Sequence, residues 1–406
     1  MQPDADHSHH KSSEAERPLK IMISAGESSG EIHGAALMEE AAARGLNWKF
    51  VGLGGDRMAA AGARLLAHIN DTAVMGLTEV VGHLKKILSI RSAMKRGLEL
   101  ERPAALILID FPDFNFGLAR HAHELGIPVI YYICPQVWAW RSGRLKFLAR
   151  YIDRRAVLFP FEKKFYEERG VSADWVGHPI LDELPPMPLP AEIKTSLGFE
   201  AARPLLTLMP GSRKKVVERL TPVILGAAEI LLAERPDLQL AMPKADSIAH
   251  DYLNSFLQAA SPALRERVVI TPGRSRELLA ASEAALVVSG TSSVEAVFLG
   301  TPMAVTYKVS DLSWLLGRLL VSVPYVSIAN LVAGREVIPE FLQDRATPEN
   351  LAGAVRPLLS GGPERDKMTA DLASVRAQLG EPGASGRVLD IVSEEISKAE
   401  GGRNAL

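Results

Sequence analysis

The sequence predicts an α/β protein built from two parallel-sheet domains, and three observations carry that expectation. Short, continuous apolar runs such as Ala104–Ile109, Leu205–Met209 and Ala285–Val288 suit strands buried on both faces. Helical patterns separate these runs, the alternation of a doubly wound sheet. The chain has 406 residues, too many for one core, and prolines at 185, 186, 188 and 190 mark a linker. The expected organisation is a polar, disordered tail over 1–18, an N-terminal domain over 19–184, a linker over 185–190 and a C-terminal domain over 191–380. Residues 381–406 end in a helix that is a candidate to pack back on the N-terminal domain.

Composition narrows the function classes. Hydrophobic residues are 47% and charged residues 23%, as in ordinary globular protein. The net charge of −2 gives no support for nucleic-acid binding. One cysteine, Cys134, rules out an internal disulfide and suits a reducing compartment. It lacks a nucleophile motif and reads as packing. No apolar run approaches the ~20 residues of a membrane span. The tail, with His7, His9 and His10, lacks the apolar core of a signal peptide.

Taken in order, Leu19–Ser24 is the first strand. It runs into Ala25-Gly26-Glu27-Ser28-Ser29-Gly30, where glycines admit a close approach and Ser28 and Ser29 offer hydroxyls; a purely structural turn is the alternative. Lys49–Leu53 is the second strand. Neither turn carries G-x-G-x-x-G, so a dinucleotide fingerprint is absent. In the helix predicted over Met75–Arg96, Val80, Val81, Leu84, Ile87, Leu88 and Met94 are assigned to one face, with Lys85, Lys86 and Arg91 among the cations on the others. Such a helix either faces the core with a solvated basic side or lies on an anionic membrane surface. The strand Ala104–Ile109 ends in Asp110, at the carboxyl end where open α/β sheets bind ligands. Asp113 looks like a helix-start residue. After the strand Val129–Ile133 come Trp138 and Trp140, for which core packing is the plain reading.

Beyond the prolines, Leu205–Met209 runs into Pro210-Gly211-Ser212-Arg213-Lys214-Lys215. A glycine turn with cations after a strand suits a diphosphate, and Arg213 suits a bidentate contact. Ala285–Val288 leads to Ser289-Gly290-Thr291-Ser292 and a helix predicted from near Ser293 to Gly300. Free N–H groups and the positive end of the helix dipole meet there, a ready phosphate site. Glu295 is placed to reach ribose hydroxyls, although Ser292-x-x-Glu295 also reads as a capping box. Tyr325–Arg335 reads as a loop. One domain thus offers an acceptor site and the other a nucleotide-diphosphate site, which suits sugar transfer from a nucleotide carrier.

The chain also resembles the lipid-A-disaccharide synthase family. The motifs are Ala25-Gly26-Glu27-Ser28-Ser29-Gly30, Met75-Gly76-Leu77-Thr78-Glu79-Val80, Asp110-Phe111-Pro112-Asp113-Phe114-Asn115 and Pro135-Gln136-Val137-Trp138-Ala139-Trp140-Arg141. Pro160-Phe161-Glu162, Gly177-His178-Pro179, Pro210-Gly211-Ser212-Arg213, Ser289-Gly290-Thr291 with Glu295, and Asn330-Leu331-Val332-Ala333-Gly334-Arg335 follow in family order. Glu31 stands where the family pattern leads one to expect Asp, and Cys134 where a small hydroxyl residue is common.

The resemblance implies a GT-B glycosyltransferase: two Rossmann-like domains facing each other across a cleft, inverting and metal-independent, with no cofactor. It implies condensation of UDP-2,3-diacylglucosamine with 2,3-diacylglucosamine 1-phosphate (lipid X) to a β-1,6-linked disaccharide 1-phosphate and UDP. The place would be the inner face of the cytoplasmic membrane, with the enzyme peripheral and homo-oligomerisation open. Asp110 would be the base, with His33 and His178 as runners-up. Gly211, Ser212, Arg213, Ser289, Gly290, Thr291, Ser292 and Glu295 would bind the nucleotide. Ser28, Ser29, Asn330 and Arg335 would position the substrates. Val80, Val81, Leu84, Lys85, Lys86, Ile87, Leu88 and Arg91 would meet the membrane or acyl chains. The rival readings are another GT-B UDP-sugar enzyme, such as a muramyl-type N-acetylglucosaminyltransferase or a UDP-sugar epimerase, a nicotinamide dehydrogenase, and a non-catalytic solute-binding protein.

Overall fold

A computed structural model describes residues 18–72, 80–139, 142–310, 314 and 323–403. Residues 1–17 of the tail, Met75–Glu79, Trp140 and Arg141 lie outside these residues, as do the side chains of Val80, Val81 and Leu84. The fold is α/β with two parallel sheets.

The first sheet comprises β1 (Leu19–Ala25), β2 (Trp48–Gly54), β3 (Arg64–His68), β4 (Ala105–Ile109), β5 (Val129–Tyr132), β6 (Arg154–Val157) and β7 (Asp174–Trp175), in the order β3-β2-β1-β4-β5-β6-β7. The second comprises β8 (Leu205–Met209), β9 (Gln239–Lys244), β10 (Val268–Pro272), β11 (Ala284–Val288), β12 (Met303–Tyr307) and β13 (Glu340–Leu342), in the order β10-β9-β8-β11-β12-β13. The central strands β4, β8 and β11 are buried along their whole length, which is why β4 and β11 read as unbroken apolar runs and β8 is broken only by Thr207, whose hydroxyl bonds Leu278 O and Ser282 Oγ. Each sheet reverses its strand order once near its centre, between β1 and β4 in the first and between β8 and β11 in the second. The loops leaving paired parallel strands diverge there and leave a crevice at the carboxyl ends.

Contacts divide the chain into one unit of residues 1–135, 147–156 and 385–406 and another of 136–146 and 157–384. The proline stretch therefore lies inside the second unit. The helix Pro190–Ser196 starts at its last proline, in the first-turn position where the missing N–H costs nothing. The helix Ala384–Arg403 belongs to the first unit, where Asp390 pairs with Arg44 at 2.7 Å and Glu394 and Glu395 take Arg154 at 2.8 and 3.0 Å.

Two segments depart from expectation. The stretch read as a loop holds a helix, Ile328–Ala333, because Ser327 caps it, its hydroxyl accepting from Asn330 N, and Gly334 ends it in the left-handed region. The long basic helix runs over Val80–Glu101, and its buried side is Ile90, Met94 and Leu98. Leu88 is 44% exposed. Six residues from Met94, it sits about 240° around the helix, so the two do not share a face.

Candidate functional site

In the first unit the reversal point gathers the turn after β1 and the turn after β4. Asp110 and Phe111 both have left-handed backbone, φ 44° and 50°, and so does Ile133 just beyond β5, at 59°. For a β-branched residue this is a true outlier, and such strain persists only where the surroundings enforce it. The enforcing groups are visible. Tyr131 Oη and Asn115 Nδ2 each donate to the Asp110 carbonyl at 2.7 Å. Ser24 Oγ in turn donates to Asn115 Oδ1 at 2.7 Å. Gly26 is required because a Cβ there would fall 2.1 Å from the Phe111 ring. With its main chain clamped, Asp110 is left half-buried at the crevice. Burial pushes its carboxyl above the ordinary aspartate range, against the opposing pull of the Phe111 N–H and of nearby His33. Pro112 opens the next helix and Asp113 sits in its first turn, where a carboxylate favours the dipole.

Ser28 and Ser29 are exposed at the start of the helix Ser28–Ala43, in the same group of turns. Glu31, the longer acid, is buried and accepts from Arg57 N at 2.7 Å, so it ties down the turn after β2. The buried Cys134 thiol lies 3.4 Å from the Tyr131 carbonyl, a packing role.

In the second unit the turns after β8 and β11 lie side by side. Gly211 has φ 101°, which only glycine adopts without strain. The helix Lys214–Glu234 starts at Arg213 and the helix Thr291–Leu299 at Gly290, so two sets of first-turn N–H groups are brought to adjacent turns. A cavity of about 180 Å³ opens there, and its walls include Gly211, Ser212 and Ser292. Lys244, Asp246 and Ser275 also line it and went unnoticed in the sequence, because the end of β9, the turn after it and the helix start after β10 carry no motif. Arg213, Gly290 and Thr291 are exposed, and Ser289 is half-buried.

The capping-box reading of Ser292 and Glu295 is corrected. The helix begins two residues earlier than expected, at Thr291, and Ser293 Oγ closes its first turn by donating to the Gly290 carbonyl at 2.7 Å. Glu295 is 9% exposed, and its Oε1 accepts from Arg276 Nε at 2.8 Å.

Other assignments change as well. Asn330 is fully buried. Its Oδ1 accepts from Val337 N and Ile338 N, and its Nδ2 donates to the Ile338 carbonyl and to Glu340. All the bonding capacity of its side chain fastens the chain segment that returns to β13. Arg335 is held by Asp371 through two bonds, 2.7 and 3.2 Å. His178 accepts from Ile180 N through Nδ1 and lies between the rings of Phe159 and Phe298, so it shapes its turn. Trp138 is buried and donates to Glu162 Oε1 at 2.8 Å, while Leu158 N and Phe159 N donate to Oε2 at 2.9 Å. Burial pushes the Glu162 carboxyl up to about 7 in spite of these three donors.

On the basic helix, Lys85 and Lys86 are exposed, Lys86 pairs with Asp71 at 2.7 Å, Ile87 is half-buried, and Arg91 packs beside Gly117. No helix among the described residues is long and apolar enough to cross a membrane. No group of three metal-ligating side chains occurs among them.

Comparison with known proteins adds to this geometry. A family model described as lipid-A-disaccharide synthetase matches residues 21–388. The lipid-A-disaccharide synthase of Anaeromyxobacter dehalogenans (strain 2CP-C) is 44% identical over 373 residues, covering 92% of this chain and 96% of the relative. That of Myxococcus xanthus (strain DK1622) is 40% identical over 377 residues, covering 93% and 97%. Among solved structures, MurG of Acinetobacter baumannii superposes with a TM-score of 0.58 at 15% identity, covering 93% of this chain and 100% of its own. The calicheamicin glycosyltransferase CalG4 gives 0.58 at 15% identity, over 94% and 99%. The UDP-GlcNAc 2-epimerase of Neisseria meningitidis bound to UDP-GlcNAc gives 0.65 at 12% identity, over 93% and 100%. At these identities the likeness is one of fold, the GT-B fold.

Proposed function

The chain belongs to the lipid-A-disaccharide synthase family, and we propose that it joins UDP-2,3-diacylglucosamine to 2,3-diacylglucosamine 1-phosphate with inversion at the anomeric carbon. The acceptor's 6-hydroxyl oxygen bonds to the donor's anomeric carbon. The bond from that carbon to the β-phosphate oxygen breaks, and its electron pair leaves with UDP. The hydroxyl proton goes to Asp110.

The observation that carries this reading is the division of chemistry between the two reversal points. In the first unit, a carboxylate with its main chain clamped is desolvated and raised in basicity, as a general base toward an alcohol requires. In the second, two helix N-termini and Arg213 present N–H groups and positive charge suited to a departing diphosphate. Gly211, Ser212, Ser289, Gly290, Thr291 and Ser292 would cradle that diphosphate, and Glu295 would accept from the ribose hydroxyls. Ser28 and Ser29 would contact the acceptor. Lys85, Ile87, Leu88 and neighbouring residues of the basic helix would meet the inner leaflet of the cytoplasmic membrane or the acyl chains.

The test is to incubate the protein with both diacylated substrates and follow UDP release and disaccharide formation. Both should appear in equal amounts. UDP release without dependence on the acyl chains would overturn the substrate assignment in favour of a soluble UDP-sugar reaction.

A further inference from the structure

We infer that Arg276 is a positioning residue that sets the nucleotide's ribose specificity, acting through Glu295; the inference rests on Glu295 being the ribose acceptor. Arg276 stands in the helix Ser275–Ala281, nineteen residues before Glu295, on the connection from β10 to β11, which have β9 and β8 between them in the sheet. Its guanidinium is used on two edges. Nε donates to Glu295 Oε1 at 2.8 Å, while Nη1 donates to the Glu183 carbonyl at 3.0 Å and Nη2 to Glu183 Oε2 at 2.9 Å. Glu183 closes the short helix Ile180–Glu183, immediately before the proline stretch.

The geometry has a chemical consequence. A carboxylate on a helix rotates about its side-chain bonds, and one bound through a single oxygen to a planar, two-point-anchored guanidinium does not rotate freely. The pair occupies Oε1 and leaves Oε2 without a recorded partner among the described residues. A cis-diol needs an ionised acceptor held in one orientation, and Arg276 supplies both the charge partner and the orientation. Ser275, the neighbouring residue, lines the cavity beside Gly211 and Ser292, so the same short helix contributes to the wall and to the clamp. A lysine here would keep the charge and lose the planar fork.

The experiment measures binding of UDP and of 2′,3′-dideoxy-UDP by calorimetry to the wild type, Arg276→Met, Arg276→Lys and Glu295→Gln, with melting temperatures alongside. Hydrogen bonds to a charged group correspond to roughly 10–100-fold in affinity, so the wild type should prefer UDP over the dideoxy compound by about that factor. Glu295→Gln should reduce the preference, and both Arg276 variants should reduce it by about 10-fold while binding the dideoxy compound nearly as the wild type does. A purely structural role would lower the melting temperature and weaken both ligands equally, and that result overturns the inference. If Arg276→Met does not fold, Arg276→Lys alone decides the matter, because it retains the charge between the two glutamates. If Glu295→Gln keeps the full preference, the ribose reading itself falls; if Glu295→Gln loses it and the Arg276 variants keep it, only the role of Arg276 falls.

Discussion

Asp110 and Glu295 occupy matching places and different surroundings. Each follows a fully buried central strand at the point where its sheet reverses order. Around Asp110 the side-chain donors Tyr131 and Asn115 bond the main-chain carbonyl, and the carboxyl itself is desolvated, with only the Phe111 N–H and nearby His33 drawing against that. Around Glu295 the side chain is the bonded part, held by a guanidinium. One arrangement fixes where a carboxyl stands and raises its affinity for a proton. The other fixes how a carboxylate is turned and gives it a cationic partner. Under the proposed function, a carboxyl directly after β4 serves proton transfer, and one in the helix after β11, seven residues past the strand, serves hydroxyl recognition.

The sharpest way to break this comparison is Asp110→Asn, which keeps shape and removes the base. We expect turnover with both lipid substrates to fall on the order of 10²–10⁴-fold with UDP affinity unchanged. Near-normal turnover would mean that the clamp on Asp110 serves the fold alone, and His33 would be the next group to change.

A third buried carboxyl sharpens it further. Glu162 has three N–H donors and is nonetheless raised, from 4.5 to about 7. Because the folded state holds this proton more tightly than the unfolded chain, the stability linked to it is full below about pH 4.5 and is lost as pH rises through about 7. Glu162→Gln cannot satisfy all three donors, since one side of the amide also donates. Calorimetric melting should find the variant less stable by about 1–3 kcal/mol at pH 5, with the gap closing toward pH 8. A gap that stays constant would show Glu162 ionised throughout.

The smallest effect concerns the surface of the first unit. Lys85→Gln with Leu88→Ser changes two exposed side chains and should leave the melting temperature unchanged. Cosedimentation with anionic vesicles should weaken by about 1 kcal/mol for the lost cation, with a further loss for the apolar contact, and the charge contribution should vanish in high salt. Unaltered binding would remove this helix from the membrane proposal.

Much of this was legible in the sequence, and where it was not the reason is distance along the chain. β4, β8, β11 and β12 announce themselves because strands buried on both faces must be apolar throughout. The small-residue turns after β8 and β11 stand out because close backbone approach leaves a compositional trace. The structural bonds of Asn330 were not legible because its partners at 337–340 come from a returning segment. Arg276 carried no signal at all, since its two carboxylates lie 93 residues before it and 19 after. The grouping of the chain by contacts follows a related logic. Proline marks local stiffness, whereas the division by contacts is set by packing and falls at 135/136, 146/147, 156/157 and 384/385.

The helix Ala384–Arg403 has a consequence for how the molecule is made. The first unit holds both β1 and this helix, with the whole of the second unit's 157–384 stretch emerging from the ribosome between them. Arg44 and Arg154 must wait for Asp390, Glu394 and Glu395 until that later segment has been synthesised. The usual order, in which the domain begun first is finished first, is inverted here. During translation the unit bearing Asp110 has all of its sheet strands early and waits for this last helix. A nascent chain stalled after residue 384 would thus lack part of the first unit even though it held every residue of the second.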